Sequence, residues 1–281
     1  MTLNCRGKLI SLALPKVMGI LNLTPDSFYD GGNFTGRYAA LHHVEKMLKE
    51  GADFIDIGAM STRPGAGLIT EQEEMNRLFP LIEIIIQKFP EAIISVDTIR
   101  AEVAERALTA GAHIINDISA GVMDERMIST VAKYKVPFVI MHMQGTPLSM
   151  QIEPHYKNVV TEVYDFLSTR ADACKNAGIM DVIIDVGFGF GKNVEHNYAL
   201  LRDLNYFKNL RAPILSGLSR KSMICKVLNV NPDKALNGTT AANMLALLGG
   251  SNILRVHDVK EAIETIKIFE AYKGIAGNST I

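Results

Sequence analysis

The sequence has few cysteines, and their arrangement argues against two kinds of stabilising site. Cys5, Cys174 and Cys225 are the only cysteines in 281 residues, and no two of them have CxxC spacing. An odd and widely spaced set indicates neither a disulfide framework nor a zinc site. We therefore expect a protein of the reducing cytoplasm.

The sequence also lacks an excess of charge of either sign. It has 29 basic and 30 acidic residues, which gives a formal net charge of -1. Such a balance provides no broad electrostatic field for nucleic acid or an anionic membrane. Any negatively charged ligand must therefore be held by a local site.

Long apolar runs are missing as well. The run Leu9 to Leu14 resembles part of a signal peptide, but Lys16 interrupts it and no small-residue cleavage site follows. Other apolar stretches, such as residues 78–86 with Pro80 and Glu83, fall short of the roughly 20 residues that span a bilayer. We therefore expect neither export nor a membrane span.

Short apolar runs alternate with longer segments of helical periodicity. This alternation predicts an α/β protein with a parallel sheet whose strands are buried on both faces. Eight such runs are the number that closes a (βα)8, or TIM, barrel, a fold of about 250 residues. The predicted strands are Val17–Leu21, Phe54–Ile57, Ile93–Val96, His113–Ile115, Phe138–Met141, Val182–Ile184, Ile214–Leu218 and Ile253–Val256.

The helices predicted between these strands complete the alternation. Thr70 followed by Glu73 predicts a capping box, and Asp258 is a candidate cap for the last helix. No linker or internal repeat divides the chain, so we expect one barrel over residues 17–281, preceded by a hairpin or plug over residues 1–16. The predicted helices are Tyr38–Glu50, Thr70–Lys88, Arg100–Ala110, Asp124–Tyr134, Asn158–Asn176, His196–Leu210, Gly238–Leu248 and Asp258–Tyr272.

Polar or titratable residues follow every predicted strand. In a parallel barrel the carboxyl ends of the strands meet at one face, where the catalytic groups of such enzymes lie. Asp56, Asp117 and His142 are also open to a second interpretation, as supports for their neighbours. The set is Asn22, Asp56, Asp97, Asn116, Asp117, His142, Asp185, Ser219, Lys221, Arg255 and His257.

Three loops at this face have compositions typical of loops that contact ligands. The loop from Asn22 to Gly32 is long enough to form a lid, and residues 61–67 combine hydroxyls with a guanidinium. Residues 187–192, GFGFGK, do not match the spacing of nucleotide-binding loops, and their glycines instead allow close approach to a flat ligand. The short helix expected after Lys221 offers free N–H groups to a carboxylate.

Eight segments together resemble the dihydropteroate synthase family over nearly the whole chain. The resemblance implies a (βα)8 barrel, usually dimeric, that joins 4-aminobenzoate to 6-hydroxymethyl-7,8-dihydropterin diphosphate in folate biosynthesis and is a target of sulfonamides. The segments are ILNLTPDSFYDGG from Ile20, STRPGA from Ser61, SVDT from Ser95, IINDISAG from Ile114, IMHMQGTP from Ile140, GFGFGK from Gly187, SGLSRKSMI from Ser216 and RVHDV from Arg255.

The resemblance also implies which residues bind each part of the substrates. Catalytic roles fall to Asp97, Lys221, Arg255 and His257. The implied pterin site is Asp97, Asn116, Ile118, Met141, Asp185, Phe190 and Lys221. The diphosphate would bind Asn22, Thr62, Arg255 and His257, with Mg²⁺ on Asn22. The 4-aminobenzoate site would comprise Phe28, Asp30, Thr62, Arg63, Pro64, Phe190, Ser219, Lys221 and Ser222.

Some positions depart from the family pattern, and other functions stay open at this point. Met60 replaces a usual Glu, Val186 a usual Pro and Tyr29 a small residue, none of them an expected direct ligand. The alternatives are a pterin-binding methyltransferase that serves a corrinoid, a Schiff-base aldolase using Lys221, and a non-catalytic pterin carrier.

Overall fold

Eight parallel strands hydrogen-bond side by side into a closed barrel, as the alternating pattern predicts. The structure is a computed structural model that describes residues 1–23, 34–60, 67, 69–146, 150 and 153–275. Around the barrel the strand order is β10-β3-β4-β5-β6-β7-β8-β9, and every neighbouring pair is parallel. The barrel strands are β3 (Lys16–Asn22), β4 (Phe54–Gly58), β5 (Ile93–Asp97), β6 (Ile114–Asp117), β7 (Phe138–Met141), β8 (Val182–Asp185), β9 (Ile214–Ser216) and β10 (Ile253–Val256).

Helices pack on the outside of the barrel. Their inward faces form one large apolar core with the outward-facing strand residues, such as Ile55 and Ile94. The α-helices are α1 (Phe34–Lys49), α2 (Glu71–Lys88), α3 (Ala101–Ala110), α4 (Met127–Tyr134), α5 (Val159–Asn176), α6 (Val194–Arg202), α7 (Ser222–Leu228), α8 (Leu236–Gly249) and α9 (Val259–Tyr272). Short 3₁₀ helices cover Leu204–Leu210 and Pro232–Lys234.

A two-stranded hairpin packs against the amino-terminal end of the barrel. Its strands are β1 (Thr2–Cys5) and β2 (Lys8–Ser11), which pair antiparallel. Buried Leu3 and Cys5 join an apolar cluster that takes one inward side chain from each barrel strand. This end is therefore filled with apolar side chains, which leaves the opposite end for polar chemistry. The strand side chains of the cluster are Met18, Phe54, Ile93, Ile114, Val139, Ile183, Leu215 and Ile253.

Most predicted elements differ from the structure by one or more residues at an end, and two of them show the physical cause. The helix predicted over His196–Leu210 begins earlier, at Val194, because Asn193 and His196 form a reciprocal capping box. It ends at Arg202, since Asp203 leaves helical geometry and a 3₁₀ helix follows. The strand predicted to reach Leu218 ends at Ser216, and the Leu218 carbonyl instead accepts a turn bond from the Lys221 N–H at 3.2 Å.

The two predicted helix caps are only partly present. The Thr70 hydroxyl accepts from the Glu73 N–H at 3.2 Å, but the Glu73 carboxylate pairs with Arg77 rather than returning to Thr70. Asp258 occupies the N-cap position of the last helix as predicted, but its side chain does not cap the helix. Its carboxylate makes no cap bond and accepts from Arg220 Nε and Nη2 at 3.0 and 2.6 Å. Among the described helices, none has both the length and the apolar character of a bilayer span.

Candidate active site

The inward side chains at the carboxyl ends of the strands form a polar site above an apolar lining. Alternation along β4, β5 and β10 points Asp56, Asp97 and Arg255 into the barrel. The register pairs Asn22 with Gly58, Gly58 with Asp97, and Asp97 with Asn116, so these positions follow one another around the rim. The site therefore lies at the end of the barrel opposite the hairpin.

Arg255 links the first acids of the site. Its Nε donates to Asp56 Oδ2 at 2.7 Å, and its Nη2 donates to Asp97 Oδ2 at 2.9 Å. The Asn116 amide donates to the same Asp56 oxygen at 3.0 Å. Asp56 is fully buried, so it orients both Arg255 and Asn116 from beneath the site. This is the supporting interpretation of Asp56 that the sequence left open.

The two carboxylates nearest the site opening have their proton affinity raised. Burial raises the pKa of Asp97, and the guanidinium of Arg255 opposes that rise. Burial also raises the pKa of Asp185, against the opposing charge of Lys221 and a hydrogen bond from the Gly187 N–H at 2.7 Å. Each acid is therefore suited to accept a hydrogen bond from a ligand N–H that replaces lost water.

Lys221 lies between Asp185 and an aromatic ring. Its Nζ is 4.5 Å from the centroid of the Phe190 ring and donates to the Phe188 carbonyl. Burial lowers the pKa of Lys221 to about 8, while the charge of Asp185 opposes that change. The amine is therefore mostly protonated at neutral pH and becomes neutral in mildly alkaline solution.

Apolar side chains line the space beside these polar groups. Ile118 and Met141, both implied by the resemblance, are buried in a cluster with Met60 and Ile99. Phe190 packs against this cluster while staying partly exposed, as do Ile69 and Met143. Met60, at a position where the family usually has Glu, is thus part of the lining. Sequence reasoning missed Ile99 and Met143, because an apolar residue after a strand carries no distinctive signal.

The glycine-rich loop after β8 approaches the neighbouring loop closely. Gly187 has a φ of 71°, and a Cβ there would lie 2.0 Å from the His142 carbonyl oxygen. A side chain at this position would therefore force the two loops apart. Phe188 is buried in the outer core, and Phe190 turns towards the site. The loop thus brings its backbone and the Phe190 ring beside the polar site.

The ends of β9 and β10 are tied together. The Ser219 hydroxyl and His257 Nδ1 are 3.0 Å apart, and the Arg220 guanidinium pairs with Asp258. Lys221 precedes α7 as its N-cap residue, and Ser222 is exposed at the helix start. Sequence reasoning gave Arg220 no role, because only the structure shows that its partner lies 38 residues away.

Two other strand-end candidates, Asp117 and His142, are engaged in support. Asp117 accepts from Ser119 and from the Gly121 N–H, the latter at 2.6 Å, which fixes the turn after β6. His142 Nδ1 lies 3.0 Å from Lys192 Nζ. Asn22 ends β3 and is partly buried. The remaining predicted residues, Phe28, Tyr29, Asp30, Thr62, Arg63 and Pro64, lie outside the described residues.

Comparisons with known proteins agree with the geometry. The model of the family described as pterin binding enzyme matches residues 18–257. The dihydropteroate synthase of Haemophilus influenzae is 46% identical over 273 residues, covering 96% of this chain and 98% of that protein. The Yersinia pestis dihydropteroate synthase, solved with a sulfonamide drug complex, is 44% identical with a TM-score of 0.92, and the match covers 98% and 100% of the two chains. The Xanthomonas albilineans dihydropteroate synthase, solved with 4-aminobenzoic acid, is 41% identical with a TM-score of 0.90, covering 97% and 98%.

Proposed function

The chain belongs to the pterin binding enzyme family as one of its dihydropteroate synthases, and from that premise we propose how its barrel binds and joins two substrates. It is a transferase of folate biosynthesis that forms 7,8-dihydropteroate. One observation carries the detailed proposal. Two buried acids, Asp97 and Asp185, and Lys221 lie at the same end of the barrel as an apolar cluster that contains Met60, Ile118 and Met141. This combination suits a flat ring with several N–H groups at its edge.

Asp185 would recognise the amino edge of the pterin. A pterin presents a 2-amino group beside a ring N–H, and one carboxylate can accept a hydrogen bond from each. The Gly187 N–H already holds Asp185 Oδ1 at 2.7 Å, which fixes the direction of the carboxylate. Asp97 and Asn116 would complete the polar contacts, while Lys221 would donate to the ring carbonyl and N5.

The apolar lining would hold the two faces of the pterin ring. Met141 and Ile118 lie on one buried cluster, and the Phe190 ring packs at its edge. Burying apolar surface stabilises such a complex by about 25 cal/mol per Å², so a flat ring gains affinity without further polar contacts. The polar groups would then fix its orientation.

Arg255 and His257 would hold the diphosphate at the open end of the site. Arg255 lies on β10 and His257 directly follows the strand. They are two residues apart, so alternation along the extended chain points them to the same side. His257 is steadied by Ser219, and Arg255 is steadied by Asp56 and Asp97. Asn22 and, outside the described residues, Thr62 would complete the diphosphate site.

Mg²⁺ fits this proposal as an ion held mainly by the substrate. Among the described residues, no group of three or more His, Cys, Asp or Glu side chains could hold a metal ion. Asn22 offers an amide oxygen, a hard donor of the kind that Mg²⁺ accepts while keeping water and phosphate oxygens. When bound, the ion would neutralise charge on the diphosphate.

The reaction would proceed by dissociative substitution at the pterin methylene. The bond from this carbon to the diphosphate oxygen breaks, and both electrons leave with pyrophosphate. Positive charge spreads into the dihydropterin ring, where Asp97 would stabilise it. The aniline nitrogen then forms the new bond and loses a proton to water or to the departing pyrophosphate. No protein nucleophile is required, because Arg255, His257 and Lys221 position and stabilise the reacting charges.

The second substrate would bind beside the start of α7. Its carboxylate would meet the free N–H groups at Ser222, near Ser219, and its ring would contact Phe190 and Lys221. Phe28, Asp30, Thr62, Arg63 and Pro64 would close over it, and all of these lie outside the described residues.

Three broader proposals accompany this site. The family resemblance supports a homodimer. The free cysteines Cys5, Cys174 and Cys225 support a cytoplasmic location. The division into residues 1–16 and a barrel over residues 17–281 is supported by the β1–β2 hairpin, which packs beneath the strands.

Product formation tests the proposal. The protein is incubated with 6-hydroxymethyl-7,8-dihydropterin diphosphate, 4-aminobenzoate and Mg²⁺, and dihydropteroate and pyrophosphate are quantified. We expect dihydropteroate to form, with at least an equal amount of pyrophosphate, because the dissociative path also permits pyrophosphate release without 4-aminobenzoate. Methyl transfer from a methyltetrahydrofolate to a corrinoid protein, without any dihydropteroate, would instead support the methyltransferase alternative.

A further inference from the structure

Lys192 is a buried lysine to which the proposed reaction assigns no role. It is the last residue of the glycine-rich segment 187–192, and only 3% of its surface is exposed. Its Nζ lies 2.9 Å from the carbonyl oxygens of Gly187 and Phe190, and 3.2 Å from that of His142. The ring Nδ1 of His142 is a fourth neighbour, at 3.0 Å. All hydrogen-bonding positions of the amine are therefore used inside the protein.

These bonds join the two loops that border the lining of the site. His142 directly follows β7, whereas Gly187 and Phe190 belong to the loop after β8. One amine thus fixes both ends of the segment that turns the Phe190 ring towards the site. The carbonyl of Phe188, between those ends, accepts from Lys221 instead. The loop is therefore held between Lys192 on its buried side and Lys221 on the ligand side.

The charges around Lys192 are consistent with a supporting role. Burial lowers the pKa of Lys192 well below that of an exposed lysine, although Asp185 opposes this effect. Burial likewise lowers the pKa of His142 to about 3, so its ring is neutral. Lys221, which also lowers the pKa of Lys192, is then the amine that carries charge beside Asp185. Lys192 can hold the loop without competing for the acid that meets the ligand.

We propose that Lys192, paired with His142, is a positioning residue for pterin recognition. By holding the carbonyls of Gly187 and Phe190, it keeps the Phe190 ring and the Lys221 amine in place for the pterin. This inference rests on the proposed function, because it concerns the same pterin site.

Substitution of Lys192→Met tests the inference. Methionine keeps an unbranched apolar stem but has no donor, so the two loop carbonyls lose their shared partner. We expect the Kd for 6-hydroxymethyl-7,8-dihydropterin diphosphate, measured by calorimetry, to rise about tenfold, a loss of about 1.4 kcal/mol. We expect kcat per folded molecule to stay within about threefold. A merely structural role would instead lower the Tm and the active fraction and leave the Kd of the folded protein unchanged.

His142→Phe provides a milder variant should Lys192→Met fail to fold. Phenylalanine keeps the ring contacts to Phe166 and Tyr156 but removes the nitrogen 3.0 Å from Lys192 Nζ. We expect a Kd increase of about threefold. Ser251→Ala is the matched control, because the Ser251 hydroxyl also donates to buried carbonyls, but near the amino ends of β9 and β10. Its Kd should equal that of the unsubstituted protein.

The outcomes separate the inference from the proposed function. If the unsubstituted protein binds no pterin diphosphate, the proposed function itself fails. If it binds but His142→Phe and every folded Lys192→Met preparation keep its Kd within experimental error, only the positioning role is overturned.

Discussion

At the residue scale, polar side chains in this site act in interdependent groups. Arg255 meets Asp56 on β4 and Asp97 on β5, residues that lie 199 and 158 positions away in the chain. The sequence predicts that these side chains share one face, because each lies in or near the last residues of a predicted strand. It does not predict which acid pairs with Arg255, since that depends on side-chain directions across the closed barrel. The contacts of Asp56 with both Arg255 and Asn116 are therefore known only from the structure.

The lowered pKa of Lys221 predicts a pH dependence of pterin binding. Below about pH 8 most of the amine is protonated and would donate to the ligand, whereas above about pH 8 the amine is mostly neutral in the unliganded protein. We therefore expect the Kd for the pterin diphosphate to rise above about pH 8, by up to tenfold per pH unit. Calorimetric titrations between pH 6.5 and 9.5 measure this profile.

Lys221→Arg supplies the control for this pH dependence. A guanidinium stays charged over the whole range, so the variant should bind more weakly at neutral pH but without the alkaline rise. An alkaline rise of equal size in both proteins would assign the effect to another group.

At the scale of elements, sequence patterns predict the strands and helices better than their ends. Apolar runs locate β7 and β10 with the observed bounds, because burial on both faces leaves a continuous apolar signal. The ends depend on local hydrogen bonds that compete with one another. Asp258 illustrates this, since pairing with Arg220 replaces the expected helix cap. The contacts of the glycine-rich loop after β8 are also not predictable from the sequence, because its three glycines permit close contacts whose partners are known only from the fold.

Gly187→Ala tests the close approach of this loop to the loop after β7. The added Cβ would lie 2.0 Å from the His142 carbonyl oxygen, at a φ of 71°. We expect the free energy of unfolding to fall by more than about 2 kcal/mol, as for other severe steric and backbone conflicts, and pterin affinity to fall as well. Urea denaturation and calorimetry measure the two effects.

Gly178→Ala is a matched control for backbone strain alone. Gly178 also has a positive φ, 95°, but no atom lies within 4 Å of its added Cβ. This variant should lose only about 1 kcal/mol and keep its pterin affinity. Equal losses of stability in the two variants would show that the contact with His142 is unimportant.

At the scale of the whole molecule, the barrel separates a stabilising end from a reactive end. The hairpin covers an apolar cluster at the amino ends of the strands, while the acids, Lys221 and Arg255 lie at the carboxyl ends. The closed barrel is predictable from eight apolar runs with intervening helices. A hairpin or plug under the barrel is also predicted for residues 1–16, but the burial of Leu3 and Cys5 in particular is not, because two short strands of residues 2–11 carry no signal of which side chains they bury.

Leu3→Ala tests this separation. Leu3 is 1% exposed within the cluster at the amino-terminal end, so its truncation should create a cavity and cost about 3 kcal/mol of unfolding free energy. The KM values for both substrates should stay unchanged, because the cavity lies at the other end of the barrel. Leu9→Ala, at a position 70% exposed, should change neither quantity. A large KM change in Leu3→Ala would indicate that the two ends are coupled.

We propose that Asp185 recognises the pterin ring whereas Arg255 holds the diphosphate. Calorimetry of Asp185→Asn and Arg255→Ala with the pterin diphosphate, and with the corresponding 6-hydroxymethyl-7,8-dihydropterin, tests this claim directly. We predict that Asp185→Asn raises the Kd of both ligands about equally, by at least tenfold. Arg255→Ala should raise mainly the Kd of the diphosphate ligand. Unchanged binding of both ligands to Asp185→Asn would contradict the account.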